Sequence, residues 1–211
     1  MTFEINIKDQ NFILHCSGAV YWVQRRLLLI SDAHLGKVSH FRKFGAAIPS
    51  GVIHKNFLKL DEVIAYFNPE SICFLGDLFH SSLNLEWDLF SNWVSKTNLP
   101  IVLIAGNHDI INPKKYEALG IKTVSEWATE DGFLLTHHPE TREGYFTFCG
   151  HIHPAVRLRG MGRQVLKLPC FFMSENQMIL PAFGEFTGTH VMQPTEDNMV
   201  YVIVNDGVVK L

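Results

Sequence analysis

The sequence predicts an α/β layered domain, and three observations predict it. Apolar runs without alternation, at 27–30, 71–75 and 100–105, read as strands covered on both faces. Segments with helical spacing separate them. The chain before 27 and after 120 is rich in strand signals. Alternating strands and helices followed by a run of strands belong to the α/β class, with right-handed helical crossovers between parallel strands. If the β-rich beginning and the β-rich tail pair into a second sheet on the first, the result is a four-layer α/β/β/α sandwich. There is no repeat, low-complexity segment or linker, so residues 1–211 are expected to form a single domain.

The elements follow in order. Residues 3–7 alternate as a strand, Asp9-Gln10-Asn11 turns, and 12–16 returns. A short strand at 19–23 leads through Arg25-Arg26 into the buried run at 27–30. Over 52–67, Phe57, Leu60, Ile64 and Phe67 recur at three- and four-residue steps, the mark of one buried helical face, and Asn68-Pro69 ends it. A second helix over 83–96 carries Trp87, Phe90 and Val94 on one face. A short helix at 113–119 is closed by Gly120. Further strands are expected at 121–124, 133–136, 145–149, 155–158, 164–168, 177–180, 199–204 and 208–211.

A net charge of -3 argues against a bulk polycation that binds nucleic acid indiscriminately. The charge is uneven, however. Residues 33–60 hold no acid but carry Lys37, Arg42, Lys43, Lys55 and Lys59. Residues 144–174 hold no acid but carry Arg157, Arg159, Arg163 and Lys167. Such runs are either solvated faces or contacts to an anionic substrate. Cys16, Cys73, Cys149 and Cys170 form no CxxC pair and read as reduced thiols in a cytoplasmic protein. Residues 1–7 do not resemble a signal peptide, and no apolar run approaches the length of a membrane span.

Five polar clusters each follow an apolar run: Asp32-Ala33-His34, Gly76-Asp77, Gly106-Asn107-His108-Asp109, His137-His138 and Gly150-His151-Ile152-His153. Ligands gather at the carboxyl ends of strands in open α/β sheets, so loops from several strands can converge there. Taken singly, each Asp reads as a turn or cap, Asn107 as a turn former, and His137 as a satisfied polar residue. Taken together they supply the oxygen and imidazole donors that favour Mn²⁺, Fe²⁺, Zn²⁺, Co²⁺ or Ni²⁺. A carboxylate has two oxygens, so one Asp can bridge two ions, an arrangement suited to displacement at phosphorus. Metal-dependent phosphoester hydrolysis is therefore the leading reading.

As a set, in this order, the motifs resemble those of the calcineurin-like metallophosphoesterases, a resemblance that covers residues 27–154. It implies the α/β/β/α sandwich and a role for each residue. Asp32, His34 and His153 would hold one metal; Asn107, His137 and His151 a second; Asp77 would bridge them. His108 would protonate the leaving oxygen, Asp109 would orient His108, and a metal-activated hydroxide would attack phosphorus. His137 comes first after its strand and is favoured over His138 as ligand; His138 would face solvent or substrate. The Arg that many protein phosphatases of this superfamily carry after the bridging Asp is absent from Gly76-Asp77-Leu78-Phe79-His80, where His80 is either a substrate contact or structural. The complete ligand set argues against a non-catalytic scaffold.

Leu35-Gly36-Lys37, Phe41-Arg42, Ile48-Pro49-Ser50-Gly51, Leu168-Pro169-Cys170-Phe171 and Leu180-Pro181-Ala182-Phe183-Gly184 are similar to the ligase-associated metallophosphoesterases. That resemblance implies a Mn²⁺-dependent phosphodiesterase acting on DNA in repair, with a DNA ligase and a helicase as partners. Lys37 and Arg42 are candidate phosphate contacts on this reading. The alternative is a small-molecule hydrolase acting on a nucleotide, cyclic nucleotide or pyrophosphate.

Overall fold

The computed structural model describes every residue except 1, 38–50, 81, 82, 84, 161, 163 and 186; Arg42, Lys43 and Arg163 therefore lie outside the described residues. Thr2–Ile7 (β1) and Gln10–His15 (β2) form an antiparallel hairpin. Its turn is Lys8-Asp9, both at positive φ, one residue earlier than the expected Asp9-Gln10-Asn11. Two left-handed residues match the twist of the flanking strands. Val20–Trp22 (β3) and Leu27–Ile30 (β4) continue the meander. Ser71–Phe74 (β5), Ile101–Ile104 (β6) and Lys122–Val124 (β7) then add in parallel, completing a sheet in the order β1 to β7. The β-rich beginning thus joins the first sheet, not the second as expected. Consecutive strands with short connections pair as neighbours, and three such connections carry the chain directly into β4.

Helices Gly51–Phe67 (α1), Leu85–Thr97 (α2) and Pro113–Glu117 (α3) fill the parallel crossovers. All three pack on one face of this sheet. Ile53, Phe57, Leu60 and Val63 of α1, Phe90, Trp93 and Val94 of α2, and Tyr116 of α3 meet Leu28, Ile30, Ile72, Phe74 and Leu103. Asn112 caps α3 by accepting the Lys114 N–H, with Pro113 in the first turn.

The tail builds the second sheet from Trp127–Ala128 (β8), Phe133–Leu135 (β9), Phe146–Cys149 (β10), Pro154–Arg159 (β11), Val165–Ser174 (β12), Gln177–Ile179 (β13), His190–Val191 (β14), Met199–Val204 (β15) and Gly207–Lys210 (β16). The order is β14-β11-β12-β13-β10-β9-β8, with β15 and β16 joined through β12. Two-residue strands such as β8 and β14 are too short to leave a period. β12 runs through Pro169, where it changes partner from β11 to β15. Proline lacks the N–H that a continuous ladder would need, so a change of partner is where it fits.

The sheets pack face to face. Leu27, Leu29, Cys73 and Leu75 of the first meet Phe133, Leu135, Phe148 and Phe171 of the second. Phe12 lies 4.8 Å from Phe148 and Trp22 4.7 Å from Phe133, ring centre to ring centre. Full burial of each such side chain is worth about 1.5–3 kcal/mol, so this layer fixes the spacing of the sheets. A third cluster, including Val156, Cys170, Phe172 and Val202, covers the outer face of the second sheet. Among the described residues that face is covered by chain without helices. The four cysteines form no disulfide. No described helix is long and apolar enough to cross a membrane.

Candidate metal centre

The site forms where the β4–β5 ladder runs on past its strands. Asp32 N–H donates to the Gly76 carbonyl at 3.2 Å, His34 N–H to Asp77 at 2.9 Å and Leu35 N–H to Leu78 at 2.8 Å. On the second sheet, Gly150 N–H donates to the His137 carbonyl at 3.1 Å. The two loop sets meet because Asp32 Oδ2 accepts both the Ser31 hydroxyl at 2.6 Å and the His151 N–H at 3.0 Å. Glycine is required at the crossing points: a Cβ on Gly106 would collide with the Asp77 carboxylate, and one on Gly150 with Ser31 and Asp32. Asp32, His34, Asp77, His151 and His153 all have φ between 45° and 68°. Left-handed backbone is uncommon outside glycine and clusters where structure over-determines it, typically at functional sites.

The side chains converge in two groups. In one, His153 Nε2 lies 3.1 Å from Asp32 Oδ1 and 3.3 Å from His34 Nε2. In the other, His137 Nε2 lies 3.0 Å from Asn107 Oδ1 and 3.3 Å from His151 Nδ1. Asp77 stands between them, with Oδ2 3.8 Å from His34 and Oδ1 3.4 Å from His137. The ring protons are directed away from the centre. His137 Nδ1 donates to the Leu75 carbonyl at 2.9 Å, and His153 Nδ1 to the Gly188 carbonyl at 3.1 Å. In the neutral rings each Nε2 then presents a lone pair inward, the arrangement of metal-binding histidines. Asp32 Oδ1 is fully buried and accepts no hydrogen bond. Lone pairs that face one another with no proton between them repel, and a cation resolves that repulsion. The donors therefore fit divalent metal, and Asp32 with His34 and His153, and Asp32 with Asp77 and His137, are each close enough to hold an ion.

Electrostatics agree with this. Burial drives His34 down to about 3, against the pull of Asp32, so its imidazole is neutral at physiological pH. Burial also lowers His151. At Asp32 burial raises the pKa, but the neighbouring His153 imidazole and the Ser31 hydroxyl outweigh it and hold the carboxyl below its usual range.

His108 is half-buried beside the cluster. Its N–H donates to Asp77 Oδ1 at 2.8 Å; its ring stacks on His80 at 5.0 Å and meets the His34 ring edge-on at 5.4 Å. Asp109 is held by backbone N–H groups. Its carboxylate accepts the Phe79 N–H at 3.1 Å and the Gly106 N–H at 2.9 Å. Among the described residues no hydrogen bond joins it to the His108 ring; its partners are those two backbone N–H groups. Burial pushes Asp109 up to about 6, against those two N–H groups.

His138 is exposed, yet its ring centre lies 4.2 Å from that of His151, and His137, His138 and His151 form a third set able to hold a metal. The adjacent pair His137-His138 was the only sequence signal for this. Lys37 is partly buried, which lowers its pKa against the opposing charge of Asp77. Two supporting residues escaped sequence reading. Ser31 was hidden in an apolar run, and Glu86, buried in α2, accepts the Gly36 N–H at 2.6 Å. The segment Leu180-Pro181-Ala182-Phe183-Gly184 supports the first loop: Phe183 N–H donates to the Ser31 carbonyl at 2.9 Å, and Gly184 N–H to the Asp32 carbonyl at 3.1 Å.

Two sheets presenting paired Asp, Asn and His clusters at one edge define a metal-dependent hydrolase. The family model for calcineurin-like phosphoesterases matches residues 25–166, and the chain belongs to that family, whose members use two metal ions. The chain is thus a metallophosphoesterase. Among solved structures it is similar to the Pseudomonas putida nuclease MPE, with 30% identity, a TM-score of 0.82 and full coverage of both chains. Yfce, a phosphoesterase from E. coli, aligns with 13% identity and a TM-score of 0.45, over 88% of this chain and 97% of that one. No curated protein matches the sequence significantly.

Proposed function

We propose that this chain is a two-metal phosphodiesterase that cleaves nucleic-acid strands. The observation that carries the reading is the placement of Asp77 between two groups of inward-facing donors. Full-length similarity to a nuclease supports the choice of nucleic acid. Asp32, His34 and His153 would hold one ion, and Asn107, His137 and His151 the other, with His138 near enough to replace or join Asn107. When bound, the ions supply activation of water near neutral pH and neutralisation of charge at phosphorus.

The remaining work falls to the chain's own groups. Asp77 shares one oxygen with each half of the site and keeps the halves in register. His108 donates a proton to the leaving oxygen, with its ring held by the His80 stack and its backbone by Asp77. Asp109 fixes the turn from which His108 projects. Lys37, His138 and Arg42 would meet substrate oxygens; the closeness of His138 to His151 supports its part, and Arg42 rests on sequence alone. Mn²⁺ as the ion, a cytoplasmic setting, and action on DNA in repair beside a ligase and a helicase are further parts of the proposal, supported by the subfamily resemblance and the unpaired cysteines.

The test is a panel of aryl phosphodiesters, mononucleotides, cyclic nucleotides and labelled DNA, each with Mn²⁺ and with chelator. Metal-dependent cleavage of diesters and DNA is expected. Turnover of mononucleotides or cyclic nucleotides alone would replace this reading with the small-molecule one.

A further inference from the structure

The β11–β12 ribbon starts directly after His153. Arg157 lies opposite Lys167 in its register, and Arg159 opposite Val165. Opposite residues share a face of an antiparallel pair, as do residues two apart along a strand. Arg157, Arg159 and Lys167 therefore lie on one face, and all three are exposed. The other face carries Val156, Leu158 and Leu168, which pack into the cluster on the outside of the second sheet. The apolar side seats the ribbon, and seating it turns the basic side outward.

These cations contrast with others on the surface. Arg25 pairs with Asp131 at 2.5 Å, Arg26 with Glu70 at 2.8 Å, and Arg142 with Glu126 at 2.8 Å. Among the described residues, no acid lies within ion-pair distance of Arg157, Arg159 or Lys167. Residues 144–174 contain no Asp or Glu at all, so the ribbon itself supplies these three cations with no counter-charge. Its spacing also fits a polyanion. A two-residue step along a strand is about 6.7 Å, comparable to neighbouring phosphates on an extended polynucleotide strand, and Arg157 lies at most about 13 Å along the chain from His153.

We propose that this ribbon is a backbone track: Arg157 and Arg159 along one strand, with Lys167 beside Arg157 on the other, together hold phosphates of one polynucleotide strand that leads to the metal centre. The inference rests on the phosphodiesterase reading and specifies its substrate as a polymer. Contacts of this kind position a strand without reading its sequence.

The test compares the wild-type chain with an Arg157→Glu/Arg159→Glu/Lys167→Glu variant, none of whose positions touches the metal centre. Hydrolysis of bis(p-nitrophenyl) phosphate with Mn²⁺ reads the centre alone. Anisotropy of a fluorescein-labelled single-stranded oligodeoxynucleotide, in a His108→Asn background so that the probe survives, reads the track. The variant is expected to keep small-diester turnover within about twofold and to lose about tenfold or more in affinity at about 50 mM salt. The slope of log affinity against log salt should fall by about 2, from three contacts at about 0.7 each. Equal affinity and slope in the two proteins, with small-diester turnover intact, would overturn the track and leave the phosphodiesterase reading standing. A wild-type protein that hydrolyses no diester with Mn²⁺ would remove that reading, and the track with it.

Discussion

The two sheets contribute to the centre in different ways. The first supplies Asp32, His34, Asp77, Asn107 and His108 from loops after β4, β5 and β6, parallel neighbours whose backbone ladder runs on into the loops. The second supplies His137, His151 and His153 after β9 and β10, with no carboxylate of its own. The rings of His137 and His153 are aimed by the backbone carbonyls of Leu75 and Gly188, and the backbone N–H of His151 is held by Asp32. Neither sheet holds a complete set for either proposed ion. Each proposed ion would take donors from both, so the donor groups meet at the interface between the two sheets, which the apolar layer holds together.

Breaking the shared element should have the largest effect. Asp77→Ala is expected to abolish binding of both ions together, measured as metal per chain after desalting, and to reduce turnover by more than about 10⁴-fold. Loss of one ion with the other retained would show that the halves are independent. His108→Ala touches chemistry without touching either half; metal content should stay at the wild-type value while kcat falls by about 10²- to 10⁴-fold. Ser31→Ala acts from behind, removing the donor to Asp32 Oδ2. A loss of about 10–100-fold in metal affinity is expected by titration calorimetry, with kcat at saturating metal nearly restored. In the layer between the sheets, Phe148→Ala should cost about 3–5 kcal/mol in denaturant unfolding of the metal-free chain. If the layer spaces the halves, the variant should also bind its ions less tightly than its stability alone explains.

The same contrast describes what the sequence made legible. The donors of both sheets were readable because Asp, Asn and His stand directly after apolar runs, and chemistry limits which residue types can serve. The helical period at Phe57, Leu60, Ile64 and Phe67 gave the buried face of α1 correctly, since all four reach the core under the first sheet. Periodicity reports which face a residue occupies and is silent on which strand lies alongside. Hence β1–β3 were expected in the wrong sheet, and the continuation of β12 through Pro169 was missed. The approach of His138 to His151 and the backbone partners of Asp109 depend on loop geometry at the ångström scale, which residue type does not encode. Ser31 and Glu86 failed for another reason: a buried polar residue looks the same in sequence whether it supports a site or a turn.

The most direct test of a shared two-metal centre is a crystal structure of the Mn²⁺-loaded protein with anomalous scattering recorded at the manganese edge. The account predicts two peaks roughly 3.5–4 Å apart with Asp77 between them, one beside Asp32, His34 and His153, the other beside His137 and His151 with Asn107 or His138. A single peak, or two peaks of which only one lies beside the Asp77 carboxylate, would contradict it.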